Sequence, residues 1–310
     1  RASGAARRAG LSFRVSRDRP VTTVAISRRE ASVTASVTTD RALLRAFLER
    51  DRIYAAYAIC DLEDREFPRT RWGAAWSGGS IVAIVLEYSG GSPQPLLAIG
   101  SDEGIVAILR DVIRPRVAYI ASRPVAIPAV QTRYRLDAGP QMVRMWVDRA
   151  RFRPAEDPGL ERLGPGDAME LNRLYQLGFG AWLPPSAIGE GVYYGLRVQG
   201  KLVSAAGTHV VSTAARLAVV GNVLTHGDYR GRGYATAVTG AVTAELLKSC
   251  DHVVLNVRAD NPPAISAYRH LGFAEHVRFE ERLARRLGSP WSALASSIRR
   301  FISRKESSSP

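Results

Sequence analysis

The sequence predicts an α/β protein of two successive halves, each a mixed, twisted sheet flanked by helices. Three observations carry that prediction. Residues 217–273 read as strand, glycine-rich turn, helix, strand and capped helix. The same order of elements, without the same residues, runs through residues 40–150. Hydrophobic residues make up 46% of the 310, enough for one or two packed cores.

The ends of the chain stand apart from this pattern. Residues 1–39 lack periodicity, are rich in Arg, Ser and Ala, and precede the first methionine, Met142. They read as a disordered or non-native extension, with a transit-like segment as the alternative. The formal charge is +14, and it concentrates at the termini: residues 1–40 hold eight Arg against three acids, and residues 277–310 seven Arg and one Lys against three acids. No stripe of basic and aromatic residues marks a nucleic-acid module between them, so no specific nucleic-acid partner is expected. A polyanion-binding tail is the alternative. Two cysteines, Cys60 and Cys250, have no metal-like spacing, which speaks for no metal and no disulfide framework. No apolar run approaches the roughly 20 residues of a membrane span. The expectation is a reduced, cytoplasmic protein; nothing in the sequence sets its oligomeric state.

In the first half, 40–150, Asp40 caps an amphipathic helix (Leu43, Leu44, Phe47, Leu48), and a second apolar segment runs over 53–62. Strands are predicted at 72–76, 81–88 and 96–99, joined by Gly-Gly and Gly-Ser-Pro turns. Then come a helix over 103–112, a strand over 116–121, a helix over 126–134 and a strand over 142–148. Residues 151–159, rich in proline and glycine, read as a linker.

The second half, 160–282, opens with a short strand at Leu160. Asp167-x-x-Glu170 reads as a capping box for a helix reaching about Leu177. A Gly/Pro-rich loop over 178–191 precedes strands at 192–198, 202–211 and 217–224. After Phe279, and throughout 283–310, the chain reads as a basic tail.

The chemistry lies after the third of these strands. Arg230-Gly231-Arg232-Gly233-Tyr234-Ala235 opens a helix whose stripe is Ala235, Val238, Val242 and Leu246. A helix start leaves N–H groups unpaired and carries partial positive charge, and glycines admit a close anion. The dinucleotide fingerprint fails because Thr236 stands where its last glycine belongs, and the P-loop fails for want of a lysine. Some thirty residues later stands N-x-x-A-x-x-x-Y-x-x-x-G-F, with Asn261 as helix cap, Pro262 at the first helical position, and Ala264 and Tyr268 near one face. Gly272 and Phe273 close it. A glycine-containing turn and a well-capped amphipathic helix with a core tyrosine are the plain readings of each motif alone.

Together and in this order, the R-x-x-G-x-[GA] turn at Arg230–Ala235 and the Asn261…Tyr268…Gly272-Phe273 pattern resemble the GNAT N-acetyltransferase superfamily. The resemblance implies that Val223, Leu224 and Thr225 end a splayed strand that pairs with the pantetheine arm of acetyl-CoA. Arg230, Gly231, Arg232, Gly233, Tyr234 and Ala235 would cradle its pyrophosphate, and Asn261 would contact it near the thiol. Tyr268 would be the general acid to the departing thiolate. The implied reaction is direct acetyl transfer in a ternary complex to a primary amine, on a small molecule or a peptide, with acetyl-CoA as cosubstrate.

The family often draws its base from an acid on the central strands, and Leu217–Thr225 holds none. Glu190 and His209 are the candidates, each also readable as a solvated acid or a hydrogen-bonded histidine; His226 suits a structural place in the turn. The missing carboxylate also leaves a non-catalytic acyl-CoA-binding regulator as the alternative. In the first half the corresponding helix start carries Asp102 and Glu103, which repel a pyrophosphate. The pattern is thus similar to a double GNAT protein whose N-terminal copy has lost its cofactor site.

Overall fold

In the computed structural model, residues 32–288 are described, apart from residues 92, 156, 158 and 177–181. The elements are β1 Thr34–Val37, α1 Arg41–Leu48, α2 Ala56–Cys60, β2 Thr70–Ser77, β3 Ser80–Tyr88, β4 Gln94–Gly100, α3 Asp102–Asp111, β5 Val117–Ser122, α4 Ile127–Gln131, β6 Tyr134–Leu136 and β7 Gln141–Val147. The second half supplies β8 Leu160–Arg162, α5 Ala168–Gln176, α6 Pro185–Glu190, β9 Tyr193–Val198, β10 Lys201–Ser212, β11 Leu217–Thr225, α7 Tyr234–Leu246, β12 His252–Arg258, α8 Pro262–His270 and β13 Ala274–Arg286.

All the strands join one sheet in the order β1-β2-β3-β4-β5-β13-β7-β12-β11-β10-β9-β8, with β6 on β13. The two halves are therefore not side by side as separate sheets. The last strand of the first half, β7, lies beside β12 of the second. The last strand of the chain, β13, pairs with β7 through its first part and with β5 and β6 of the first half through its second. Each half receives its final strand from the other.

Side-chain alternation sets the two faces. Leu217 and Val219 of β11 pack with Leu44 and Leu48 of α1, Ile59 of α2 and Tyr54 from the turn between them, whereas Ala218 and Val220 meet Val238, Val242 and Leu246 of α7. Leu171 and Leu174 of α5 and Ile188 of α6 cover Leu202 and Ala205 on the α1/α2 side. Helices α3 and α4 lie on the α7 side.

Several expectations are corrected. The tail expected after Phe279 is a central strand to Arg286. Its charges hid it, yet they are settled in place: Arg282 pairs with Glu280, Arg285 with Asp137, and Arg286 donates to Leu109 O at 2.9 Å. Within the expected extension 1–39, Thr34–Val37 pairs with β2; residues 1–31 and 289–310 lie outside the described residues. The helix expected over 126–134 ends at Gln131, where the Thr132 hydroxyl donates to Ala129 O, and Tyr134 begins β6. The Asp167/Glu170 capping box does not form. Asp167 accepts from Gly164 N of the preceding turn, and Glu170 accepts from Leu202 N at 2.8 Å and pairs with Arg197. The loop over 178–191 contains α6; residues 177–181 lie outside the described residues.

Candidate active site

The site grows from a fork in the sheet. Strands β11 and β12 pair in parallel from Leu217 opposite His252 to Val220 opposite Leu255, and there the ladder stops. Their outer edges remain bonded, β12 to β7 as far as Arg258 and β11 to β10 as far as Thr225. The backbone of Val223, Leu224 and Thr225 thus faces a gap rather than a strand. A bulge between Gly221 and Leu224, with Asn222 at φ +52°, bends β11 away.

Beyond the fork, His226–Tyr229 makes a tight turn, and the chain enters α7 through Arg230–Gly233. Gly231 and Gly233 take φ of +75° and +82°, and a side chain built on either meets open space within 4 Å. Backbone conformation, not crowding, is what demands glycine at both positions. The first N–H groups of α7, from Tyr234 to Thr236, have no intrahelical carbonyl, and Ala237 N bonds Gly233 O at 3.0 Å. Left-handed glycines ahead of a helix start form a nest that suits an anion. Arg230 and Arg232 are exposed beside it, Arg230 Nε resting on Thr225 O and Arg232 Nη2 on Asp228 O, both at 3.3 Å. The imidazole of His226 accepts from Asp228 N, as a residue of the turn.

On the far side, Asn261 Oδ1 accepts from Ala264 N at 3.3 Å and caps α8. Gly272 ends the segment at φ +91°, with Arg151 O 2.0 Å from where a Cβ would stand. Tyr268 is 7% exposed, beside Phe273 with ring centroids 6.1 Å apart. Burial pushes its phenol up to about 12.

The two base candidates fare differently. Glu190 ends α6 and pairs with Arg65 of the first half. His209 has one edge open to solvent but both nitrogens engaged: Nδ1 lies 2.9 Å from Tyr57 Oη and Nε2 lies 3.0 Å from Asn222 Oδ1. The protein packed around the imidazole holds its pKa below the ordinary value. Asn222 Nδ2 donates to Tyr193 Oη, so its Oδ1 faces the ring, Nε2 bears the hydrogen and Nδ1 accepts from the phenol. Gly221 makes room for this ring, since a Cβ there would stand 2.5 Å from His209 Cδ2. Gly221→Ala is expected to cost about 1–3 kcal/mol by overpacking, read from urea unfolding.

Three groups on this face escaped the sequence reading. Arg144 of β7 is buried; its Nε donates to Asn256 Oδ1 at 2.9 Å and its Nη1 to Tyr54 O. Burial lowers its pKa. Glu281 of β13 is half-buried near Arg144, within reach of Tyr119 Oη at 3.4 Å, and desolvation raises its pKa. Tyr57 comes from α2 of the first half. Alternation could have flagged Glu281 once β13 was read as a strand; nothing local marks Arg144 or Tyr57.

The corresponding place in the first half is filled. A single residue, Ser101, separates β4 from α3, and its hydroxyl already accepts from Gly104 N at 3.3 Å. Asp102 and Glu103 occupy the first turn, and a Cβ on Gly104 would stand 2.6 Å from Ala83 Cβ.

Comparison with known proteins fits this geometry. Residues 193–283 match the FR47-like protein family. A mycothiol acetyltransferase from Corynebacterium aurimucosum is 46% identical over 48 residues, a stretch that spans 15% of this chain and 16% of that relative. A GCN5-related N-acetyltransferase from Sphaerobacter thermophilus superposes with a TM-score of 0.56 at 17% identity, covering 83% of this chain and 97% of its own. A tandem GNAT protein from the clavulanic acid biosynthesis pathway gives 0.51 at 16%, covering 84% and 99%. At these identities the structures speak to fold. The chain carries the GNAT fold in tandem, with an FR47-like segment in its C-terminal half.

Proposed function

We propose that the C-terminal half binds acetyl-CoA and transfers its acetyl group to a primary amine, with the first half walling the acceptor side. The observation that carries this reading is the convergence on one fork of an unpaired strand edge, a nest of N–H groups at Gly231–Ala235 and the capped helix that holds Tyr268. The fit rests on the open space before Gly231 and Gly233. Arg230, Arg232 and the α7 N-terminus would hold the pyrophosphate. The edge of Val223–Thr225 would hold the pantetheine arm, and Asn261 would lie toward the thiol end.

When bound, acetyl-CoA supplies an activated thioester. The chain's own groups then have two proton tasks. Tyr268 keeps its hydrogen at any ordinary pH. From a phenol near 12, transfer to a free thiolate of pKa ~8.5 would be uphill by about 5 kcal/mol. Its contribution is therefore a hydrogen bond to sulfur as charge develops, completed only late in bond breaking. The amine must arrive neutral. Glu190 pairs with Arg65, whereas the half-buried Glu281 and His209 lie on the α1/α2 side, beside groups of the first half.

Small amines, amino acids, aminoglycosides and peptide N-termini form the test panel, with thiol release as the readout and calorimetry with CoA alongside. Micromolar CoA binding with turnover of at least one amine is expected. CoA binding with no turnover would favour an acyl-CoA-binding regulator, and no CoA heat would end both readings. Gly233→Ala, strained at positive φ by about 1–2 kcal/mol, is expected to weaken CoA binding about tenfold in the same calorimetry.

A further inference from the structure

The root of the fork is held in a way that the acetyl-transfer reading does not use. Two asparagines stand just past the last β11–β12 pair, Asn222 on β11 and Asn256 on β12. On the face covered by α2, each is tied by one side chain from the neighbouring strand. His209 of β10 reaches Asn222 at 3.0 Å, and Arg144 of β7 reaches Asn256 at 2.9 Å. Both ties lead to α2 of the first half. The Tyr57 hydroxyl lies 2.9 Å from His209 Nδ1, its ring centroid lies 5.3 Å from the Arg144 guanidinium carbon, and Arg144 Nη1 donates to the Tyr54 carbonyl.

We infer that Tyr57 is a positioning residue for the C-terminal site: one side chain of the half without a cofactor cradle fixes both prongs of the fork. The inference rests on the reading that this fork takes the acyl thioester. The hydrogen-bond directions give it content. Asn222 presents its oxygen to His209 because its amide nitrogen donates to Tyr193, so the imidazole must carry its hydrogen on Nε2. Nδ1 then needs a donor, and the Tyr57 phenol supplies it. Asn222 is the left-handed residue of the β11 bulge, so the tautomer of His209 bears on the direction of the N–H groups that line the fork. The Tyr175 hydroxyl, donating to Asn222 O at 2.6 Å, holds the same residue from α5.

The groups facing the imidazole are Tyr57 from α2, Asn222 from β11 with Tyr193 of β9 behind it, and Arg144 beyond Tyr57. No carboxylate lies within ion-pair distance of it among the described residues. The ring is therefore held neutral by its surroundings, with nothing anionic to draw a proton in. Removing the phenol oxygen leaves Nδ1 free to take up a proton from solvent along the open edge.

The test is Tyr57→Phe in the full chain, with His209→Gln to identify the His209 signals. In nitrogen-15 histidine spectra the parent protein is expected to show His209 as the Nε2–H tautomer, titrating below the ordinary imidazole value. In Tyr57→Phe the same ring should titrate at least one pH unit higher. With the amine found in the panel above, kcat should fall on the order of 10–100-fold, as for a displacement near 1 Å, while CoA affinity stays within about twofold and a new acid limb appears in the rate profile. An unchanged His209 titration overturns the inference whatever the turnover. So does a fall in kcat matched by an equal loss of CoA binding, which marks general destabilisation. If the parent binds CoA but no amine is acetylated, the acetyl-transfer reading fails, and the spectra still decide the link from Tyr57 to the fork.

Discussion

Replacing Tyr268 with phenylalanine is expected to lower kcat by about 100-fold or more, within the range for a lost proton donor, and to leave CoA affinity within about twofold. The ring is packed beside Phe273 in the core under α7 and α8, so the Phe variant keeps the packing and loses only the hydroxyl. The hydroxyl makes no hydrogen bond among the described residues, so its removal strands no partner. A melting curve within a few degrees of the parent would separate loss of chemistry from loss of fold. Equal turnover in the two proteins would remove Tyr268 from the reaction. The pH dependence follows from burial. The folded-state pKa of about 12 lies above the unfolded value near 10, so the stability tied to this phenol is complete below pH 10. It is lost as pH rises through 12. The rate should show no basic limb from Tyr268 up to pH 10.

The second large effect is on stability and lies in β13. Phe279 is fully buried under α1 and α2 at the junction of the two halves, touching the Arg144 guanidinium face at 4.8 Å and the Tyr54 ring at 6.4 Å. Phe279→Ala is expected to cost about 3–5 kcal/mol, the usual range for an aromatic cavity in a core. It should also loosen Tyr54 and Tyr57, which pack in the same cluster. Chemical denaturation measures the first, and a drop in the melting temperature of CoA-bound protein measures both. A loss below about 1 kcal/mol would mean that β13 is not the shared strand described above.

What could be read in the sequence was local. The turn at Arg230–Ala235 and the helix capped by Asn261 are specified by residues within a few positions of one another, through positive φ, an Asx cap and a terminating glycine. The β11 and β12 strands were legible because both of their faces are apolar. β13 was not. Arg278, Glu280, Arg282 and Arg285 interrupt its apolar positions, and the strands that flank it, β5, β6 and β7, lie more than a hundred residues earlier in the chain. The Tyr57–His209 contact joins residues 152 apart, and Arg144–Asn256 joins residues 112 apart. No spacing rule reaches that far. Glu190 was placed before its strand, but its pairing with Arg65 required the fold.

The traded strands bear on why a half with a filled cradle persists at all. β7 is the middle rail between β12 and β13, so excising the first half would strip one prong of the fork of the outer neighbour it has among the described residues. A site built on this fork thus depends on the backbone of the first half, whether or not that half holds a ligand of its own.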